Sequence, residues 1–219
     1  MPPVDPPRPF VSPLRHLTLA AGQPLWRVTP SKHLDDLFRT DVVDVKNDGS
    51  CGGRFDPTSE CDYPYTYVAL DPVTALAETL LRNVAYDAAG RLLRRTAYAG
   101  RTVSILETSR ALSLISLLEP EDLAAARQDT WLVHAEPEQY PRTRQWAHWF
   151  RECSEHADGV IWPSKRRPRG KAIILFGDAD RCGTVLRRAP FDHRPLDGDD
   201  GERWLAGLLK PLHTYLDRP

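Results

Sequence analysis

Several side chains suited to binding an anionic ligand with an aromatic base follow one another along the chain. Arg54 stands directly after a glycine pair that ends at Gly53, and Tyr67 and Glu78 follow it. Glycines let a backbone approach a phosphate closely and leave amide donors free for it, while a guanidinium binds two phosphate oxygens at once. Arg27 stands upstream between apolar residues, where its side chain points either outward from a half-exposed strand or inward toward an anion. The residue types thus indicate a local anion site.

Each of these residues also has an ordinary structural interpretation. A glycine pair before a charged residue is most often a turn, so Arg54 alone is a weak signal. Glu78 lies four residues before Arg82, a spacing typical of an exposed ion pair on a helix. Tyr67 fits a cross-strand aromatic contact, and Ser164, which follows a proline, fits a turn hydroxyl. The residues taken singly leave these alternatives open.

The first element that must position these side chains is a short strand. Residues 25–29 form an apolar run that Pro30 stops, which predicts a strand carrying Arg27. The polar stretch 31–50 after it is predicted to be a lid or a cleft wall, with one helical turn near 34–38.

A second strand and a helix follow the glycine pair. Residues 65–70 predict the strand. Asp71 followed by Pro72 is a preferred N-cap with proline at the first helical position, so a helix that carries Glu78 begins there. Its apolar positions recur on one face, which is expected to pack on a sheet: Val73, Leu76, Ala77, Leu80, Leu81 and Val84.

The rest of the chain predicts strands and helices in irregular alternation. The predicted elements are strands near 103–105 and 112–117, helices at 119–128 and 142–157, strands at 159–162 and 172–176, and a last helix at 202–216 that Pro211 kinks. An acidic stretch at 197–201 is predicted to be a loop before that helix. Because no regular βαβ period appears, the predicted fold class is α+β.

The length and the tails set the domain organisation. A chain of 219 residues with 41% hydrophobic residues can bury the core of one domain. The predicted divisions are a Pro-rich extended N-terminal arm at 1–23, a core domain at 24–190, and an acidic loop with a C-terminal helix at 191–219. The prolines of the arm exclude a secretory signal, and no apolar run approaches the roughly 20 residues that cross a bilayer. We therefore expect a cytoplasmic protein with no membrane partner.

Charge and cysteine usage exclude several classes of function. With 29 Lys+Arg against 30 Asp+Glu, the chain has no overall basic field for direct binding of nucleic acid. The basic run 165–171 is more typical of a solvated hairpin loop, since no aromatic residue interrupts it. The four cysteines lack the paired spacing of a zinc site and fit free thiols in a reducing cytosol. No histidine spacing typical of a metal site and no G-x-S-x-G motif occurs, so we expect no metal ligands and no acyl transfer.

The combination and the order of these motifs resemble the RES-domain family, which is named for an arginine, a glutamate and a serine. The motifs are Trp-Arg-Val at 26–28, Gly-Gly-Arg-Phe-Asp-Pro at 52–57, Tyr-Val-Ala-Leu at 67–70, Ala-Leu-Ala-Glu at 75–78, Gly-Val-Ile-Trp-Pro-Ser at 159–164 and Ile-Leu-Phe-Gly at 174–177. The resemblance implies an α+β fold similar to ADP-ribosyltransferases, with a mixed sheet and flanking helices. It also implies that NAD is a substrate, with no separate cofactor.

The resemblance implies a catalytic group made of Glu78, Arg27 and Ser164. Glu78 would stabilise the oxocarbenium-like transition state formed when the bond between nicotinamide and ribose breaks. Ser164 would hydrogen-bond a ribose or the nicotinamide end. Arg27 would help to neutralise and orient the pyrophosphate.

The resemblance likewise implies a substrate-binding group made of Arg54, Tyr67 and Gly53. Arg54 and the glycine backbone would hold the pyrophosphate, and the ring of Tyr67 would stack on a ring of the ligand.

The implied function is an NAD-consuming enzyme, a glycohydrolase or a phosphorylase, that acts as the toxin of a toxin–antitoxin pair. Its partner would be a DNA-binding antitoxin of the helix-turn-helix type that plugs the cleft. Two other functions remain open: ADP-ribosyl transfer to a macromolecule, and a non-catalytic module that binds a nucleotide. The final acceptor, whether water, phosphate or a protein side chain, is left open as well.

Overall fold

The protein is described by a computed structural model that covers residues 4–7, 13–34, 36–44, 51–177 and 185–217, without the side chains of 190–192. Within these ranges the strands are β1 (His16–Leu19), β2 (Pro24–Pro30), β3 (Tyr65–Ala69), β4 (Arg91–Leu93), β5 (Arg101–Thr108), β6 (Leu112–Ser116), β7 (Gly159–Pro163), β8 (Lys171–Phe176), β9 (Leu186–Pro195) and β10 (Thr214–Leu216). The helices are α1 (Pro72–Leu80), α2 (Arg95–Tyr98), α3 (Pro120–Ala125), α4 (Trp131–His134), α5 (Tyr140–Cys153) and α6 (Gly198–Leu209). Short 3₁₀ turns occupy Ser31–His33, Pro137–Gln139 and Lys210–Leu212.

Most of the strands form one large sheet, in the order β1-β6-β7-β8-β3-β2-β5-β9. Strands β6 and β7 pair in parallel, whereas the other neighbours in this sheet are antiparallel. Strands β4 and β10 form a separate parallel pair. The prediction of an α+β fold with a mixed sheet and flanking helices is therefore confirmed.

Helix α1 begins where its capping residues predict. The carboxylate of Asp71 accepts hydrogen bonds from the amide of Thr74 at 3.0 Å and from its hydroxyl at 2.7 Å, and Pro72 occupies the first turn. The predicted apolar face is buried at Leu76 and Leu80. Packing of this face against the sheet leaves Glu78, which lies beside the buried face, half-buried.

Helix α5 confirms the predicted helix at 142–157, although it begins slightly earlier and ends earlier. Its aromatic face is buried, and two of its indole groups hold the N-terminal arm. Trp146 donates to the carbonyl of Val4 at 2.9 Å, and Trp149 donates to the carbonyl of Pro7 at 3.0 Å. Farther along the arm, β1 pairs with β6 at the sheet edge. The described part of the arm is therefore fastened to the domain at two places.

The prediction of a last helix at 202–216 is wrong at both ends. The acidic stretch 197–201, predicted as a loop, begins α6 instead. Asp197 is the N-cap residue, and Asp199 and Asp200 lie in the first helical turn, where the helix dipole favours negative charge. The helix ends before Pro211, which has no amide hydrogen to donate. His213 then adopts a left-handed conformation with φ of 48°, and β10 pairs with β4. Pro211 therefore ends the helix rather than kinking it.

The hydrophobic pattern of the sequence did not predict several other elements. Strands β1, β4, β9 and β10 were not predicted, because their apolar runs are short or broken by charges. The turn expected near 34–38 lies earlier, at Ser31–His33. Three of the cysteines, Cys51, Cys61 and Cys153, are not in a disulfide, and Cys182 lies outside the described residues. Among the helices of the described ranges, none combines the length and the apolar character needed to cross a bilayer.

Candidate active site

The two glycines before Arg54 are required by the local geometry. Gly52 has a φ of +76°, which L side chains rarely adopt, and a Cβ there would lie 2.8 Å from a carboxylate oxygen of Asp56. A Cβ on Gly53 would lie 2.5 Å from the hydroxyl oxygen of Tyr67. The glycine pair therefore makes a tight turn that other side chains enclose.

A buried carboxylate fixes this turn to the sheet. Asp56 accepts a hydrogen bond of 2.6 Å from the amide of Gly53 and one of 2.7 Å from the hydroxyl of Tyr67. The same hydroxyl accepts from the amide of Phe55 at 3.0 Å. Burial and the charge of Asp56 raise the pKa of Tyr67 well above its ordinary value, so the phenol stays protonated and remains a donor. Tyr67 thus links the turn to β3.

Arg54 leaves the turn into a set of aromatic rings. Its guanidinium carbon lies 5.9 Å from the ring centroids of Tyr140 and Trp162 and 6.0 Å from that of Phe55. The residue is 6% exposed, and its buried Nε has no hydrogen-bond partner among the described residues. Aromatic faces attract a cation without neutralising it. Arg54 therefore keeps its charge for a ligand.

Glu78 and Ser164 meet across the site. The hydroxyl of Ser164 donates a hydrogen bond of 2.6 Å to Oε1 of Glu78, and Ser164 is fully buried. The alternative of an ion pair between Glu78 and Arg82 is not found. Arg82 instead donates to the carbonyl of Gly52 at 2.6 Å and to the hydroxyl of Tyr140 at 3.1 Å. Glu78 therefore presents its carboxylate without a cationic partner among the described residues.

The basic run 165–171 positions Ser164. It connects the antiparallel strands β7 and β8, as predicted, but it folds back onto the start of α1 rather than into solvent. The amide of Ser164 donates to the carbonyl of Gly170 at 2.8 Å. Arg167 donates from its amide to the hydroxyl of Ser164 at 3.2 Å and from its guanidinium to Asp71 at 2.6 Å. The same run thereby fastens Ser164 to the helix that carries Glu78.

Arg27 points inward from β2 and holds the loop that forms one wall. It is 5% exposed, and its guanidinium donates to the carbonyls of Leu34 and Leu37, each at 3.1 Å, and to that of Asp36. Burial and the nearby charge of Arg188 lower the pKa of Arg27 to about 10, against the opposing effect of Asp36. The group therefore stays charged at neutral pH.

These residues surround one cavity of about 1080 Å³. Its wall includes Arg27, Gly53, Arg54, Tyr67 and Glu78, whereas Ser164 stands behind Glu78 and is not part of the wall. Among the described residues, eight arginines and lysines and five carboxylates line it. No described residue of the arm or of α6 belongs to the wall, so the described parts of these segments do not cover the cavity. The cavity suits a sizeable anionic ligand.

A model of the RES domain matches residues 24–199. The chain belongs to the RES-domain family. Among solved structures, the M. tuberculosis MbcT–MbcA toxin–antitoxin complex contains a chain that is 18% identical, with a TM-score of 0.49, over 78% of this chain and 84% of that chain. A search of curated proteins gave no match.

Several residues of this RES-domain cavity escaped the sequence analysis. They are Arg39, Arg82, Tyr140, Lys165 and Arg166, which line it together with the expected residues. The only sequence signal was their position, because Arg82 follows Glu78 by one helical turn and the two basic residues follow Ser164 directly. The ammonium of Lys165 pairs with Glu136 and lowers the pKa of that carboxyl.

The RES-domain cavity lacks an evident metal centre within the described ranges. No group of three or more His, Cys, Asp or Glu side chains there is arranged to hold a metal ion.

Proposed function

We propose that this RES-domain protein consumes NAD by breaking the bond between nicotinamide and ribose, as a glycohydrolase or a phosphorylase. The observation that carries the proposal is a single cavity in which the carboxylate of Glu78, held by Ser164, faces the same space as Arg54 and the glycine turn. Arg54 and the glycine turn can therefore bind the pyrophosphate of a ligand while Glu78 acts on the glycosidic bond of the same ligand.

The chemistry proposed for Glu78 is electrostatic. When the glycosidic bond breaks, its electron pair goes to the nicotinamide nitrogen, so nicotinamide leaves as a neutral molecule and positive charge develops on the ribose. A carboxylate held close to that ribose stabilises the charge. Attack by water then gives ADP-ribose and a proton. Attack by phosphate instead gives ADP-ribose that carries the phosphate on the carbon from which nicotinamide left.

The other residues are proposed to bind and orient NAD. Arg54 forms no ion pair at hydrogen-bond distance with a carboxylate of the described residues and lies among aromatic rings, which supports binding of the pyrophosphate at the glycine turn. Arg27 adds positive charge to the cavity while it holds the carbonyls of Leu34 and Leu37 in the loop that forms one wall. Tyr67 lines the cavity, and two hydrogen bonds fix its hydroxyl. The ring therefore has a defined orientation, which supports stacking on a ring of NAD.

Ser164 is proposed to orient Glu78. Its hydroxyl is buried and already donates to that carboxylate, which supports a positioning role over a direct contact with the ribose. An oriented carboxylate stabilises charge at one place without reorganisation during the reaction.

We propose further that the protein is the toxin of a toxin–antitoxin pair and that its partner is a DNA-binding antitoxin of the helix-turn-helix type. Membership in the RES-domain family supports this role. The described parts of the arm and of α6 do not cover the cavity, which leaves room for a partner that blocks it.

The deciding experiment is incubation of the purified protein with NAD, in buffer with and without EDTA, followed by chromatography of nicotinamide. We expect nicotinamide in both buffers. Label from adenylate-labelled NAD that remains on protein would instead indicate ADP-ribosyl transfer to a macromolecule. Bound but intact NAD would indicate the non-catalytic module, and activity that EDTA abolishes and a divalent ion restores would contradict the metal-free mechanism.

A further inference from the structure

The backbone carbonyls of the glycine turn are all held by side chains. Those of Cys51 and Gly53 accept from the guanidinium of Arg144, at 2.5 Å and 3.2 Å. The carbonyl of Arg54 accepts from the hydroxyl of Thr143 at 2.5 Å. That of Gly52 accepts from Arg82, as described above. Thus every carbonyl of residues 51–54 has a side-chain donor, and three of the four use two adjacent residues of α5.

This arrangement matters because carbonyl oxygens repel an anion. A turn rich in glycine can rotate its peptide units easily, and rotation would turn oxygens toward the ligand and displace the side chain of Arg54. The amide of Gly53 is already bound to Asp56. Donors that fix each oxygen therefore fix the conformation of the turn and the place from which Arg54 enters the cavity. Preorganised donors of this kind need no rearrangement when the ligand binds.

Arg144 is an unusual residue for such a position. It is 1% exposed and stands on the buried face of α5, beside Ala147 and Phe150. No ion pair with a carboxylate is found for it among the described residues, so its charge is compensated by backbone oxygens. A buried guanidinium is costly unless its hydrogen bonds are satisfied, and a Cβ at Gly52 would lie 2.9 Å from its Nη2. Arg144 and the turn are therefore fitted to each other.

We propose that Arg144, aided by Thr143, is a positioning residue that fixes the glycine turn for the phosphate groups of the ligand. The inference rests on the proposed use of NAD for the identity of that ligand. Arg144 does not line the cavity and so acts only through the turn. The planar fork of its guanidinium reaches two carbonyls at once, which the single ammonium of a lysine does not reproduce.

The first test compares Arg144→Lys with Arg142→Lys, which alters an exposed arginine on the same helix. Both are made in the full chain with Glu78→Gln, so that NAD is not consumed. We expect the Kd for NAD, measured by calorimetry, to rise roughly tenfold or more for Arg144→Lys alone. Amide hydrogen exchange over residues 51–56 should be faster in the same variant, with β3 and β8 unchanged. An unchanged turn, or a looser turn with unchanged affinity, would overturn the proposal.

The second test covers the case in which Arg144→Lys does not fold. Thr143→Val removes the donor to the carbonyl of Arg54, whereas Thr143→Ser keeps it. In the active protein we expect Thr143→Val to raise the KM for NAD several-fold with kcat nearly unchanged, and Thr143→Ser to restore it. Equal loss in both variants, or an equal fall of kcat and rise of KM, would mean a merely structural role. If the wild type binds no NAD, the proposed function fails, while hydrogen exchange of the turn still decides whether Arg144 and Thr143 hold it.

Discussion

Ser164 donates a hydrogen bond of 2.6 Å to Glu78, although 86 positions separate the two residues in sequence. The contact brings together the end of β7 and the middle of α1, and Arg167 fastens both by its bonds to Ser164 and to Asp71. Glu78 therefore faces the cavity in one orientation, with its second oxygen left for a ligand.

Glu78→Gln should abolish most of the turnover and leave NAD bound. Glutamine keeps the size and an acceptor for Ser164 but removes the charge that faces the ribose, so we expect kcat to fall about a hundredfold or more. Nicotinamide release and calorimetry measure the two quantities. Glu121→Gln, at an exposed carboxylate of α3, serves as the control. Near-normal turnover of Glu78→Gln would refute the role assigned to this carboxylate.

Ser164→Ala should lower kcat about tenfold with little effect on KM, because Glu78 loses its orientation but not its charge. The matched control is Ser109→Ala, at an exposed serine without a side-chain contact to the site. A large rise in KM would mean instead that the serine contacts NAD directly. Thermal melts of both variants separate these effects from loss of folding.

Arg54→Ala should weaken NAD binding by one to two orders of magnitude, roughly the loss of a charge-assisted bidentate contact. The affinity of Arg54→Lys for NAD should lie between that of Arg54→Ala and that of the wild type, because lysine keeps the charge but not the planar guanidinium near the three rings. The Kd values from calorimetry rank the three proteins. Equal affinity in all of them would place the pyrophosphate elsewhere.

Stability should decrease as the pH falls below about 6.5, in part because of His148. Burial lowers the pKa of His148 from 6.5, against the opposing charges of Glu60 and Glu152 and with a smaller contribution from Arg151, so the unfolded chain binds a proton more readily than the folded protein. The contribution is therefore present above pH 6.5 and is lost as the pH falls through the lowered value. His148→Gln should lose less stability than the wild type between pH 7.5 and about 5, measured as urea midpoints. If the two proteins lose the same stability over this pH range, groups other than His148 cause the pH dependence.

Expression of the wild type in a bacterial host should deplete NAD and arrest growth, because the cavity is uncovered in the described structure and NAD serves redox metabolism in any host. Glu78→Gln should relieve the arrest. The comparison needs culture density, cellular NAD and the amount of soluble protein. If the two strains grow equally with unchanged NAD and equal soluble protein, the toxin role is excluded, while membership in the family stands.

The sequence alone determined the parts that depend on neighbours along the chain. Asp71 and Pro72 marked the start of α1, because capping satisfies amide groups within one turn. The apolar runs of β2, β3, β7 and β8 marked the central strands. The order of the arginine, glutamate and serine motifs indicated the family, which the match over residues 24–199 confirms.

The tertiary structure decided what depends on distant residues. It placed Ser164, rather than Arg82, on Glu78, and it turned Arg82 to the glycine turn. It also brought Arg144 beneath that turn, 91 positions from the carbonyl of Gly53 that it holds. Local pattern could not reveal these contacts, because a side chain with several donors can satisfy many acceptors equally well. The sheet and α5 decide which acceptors come within reach.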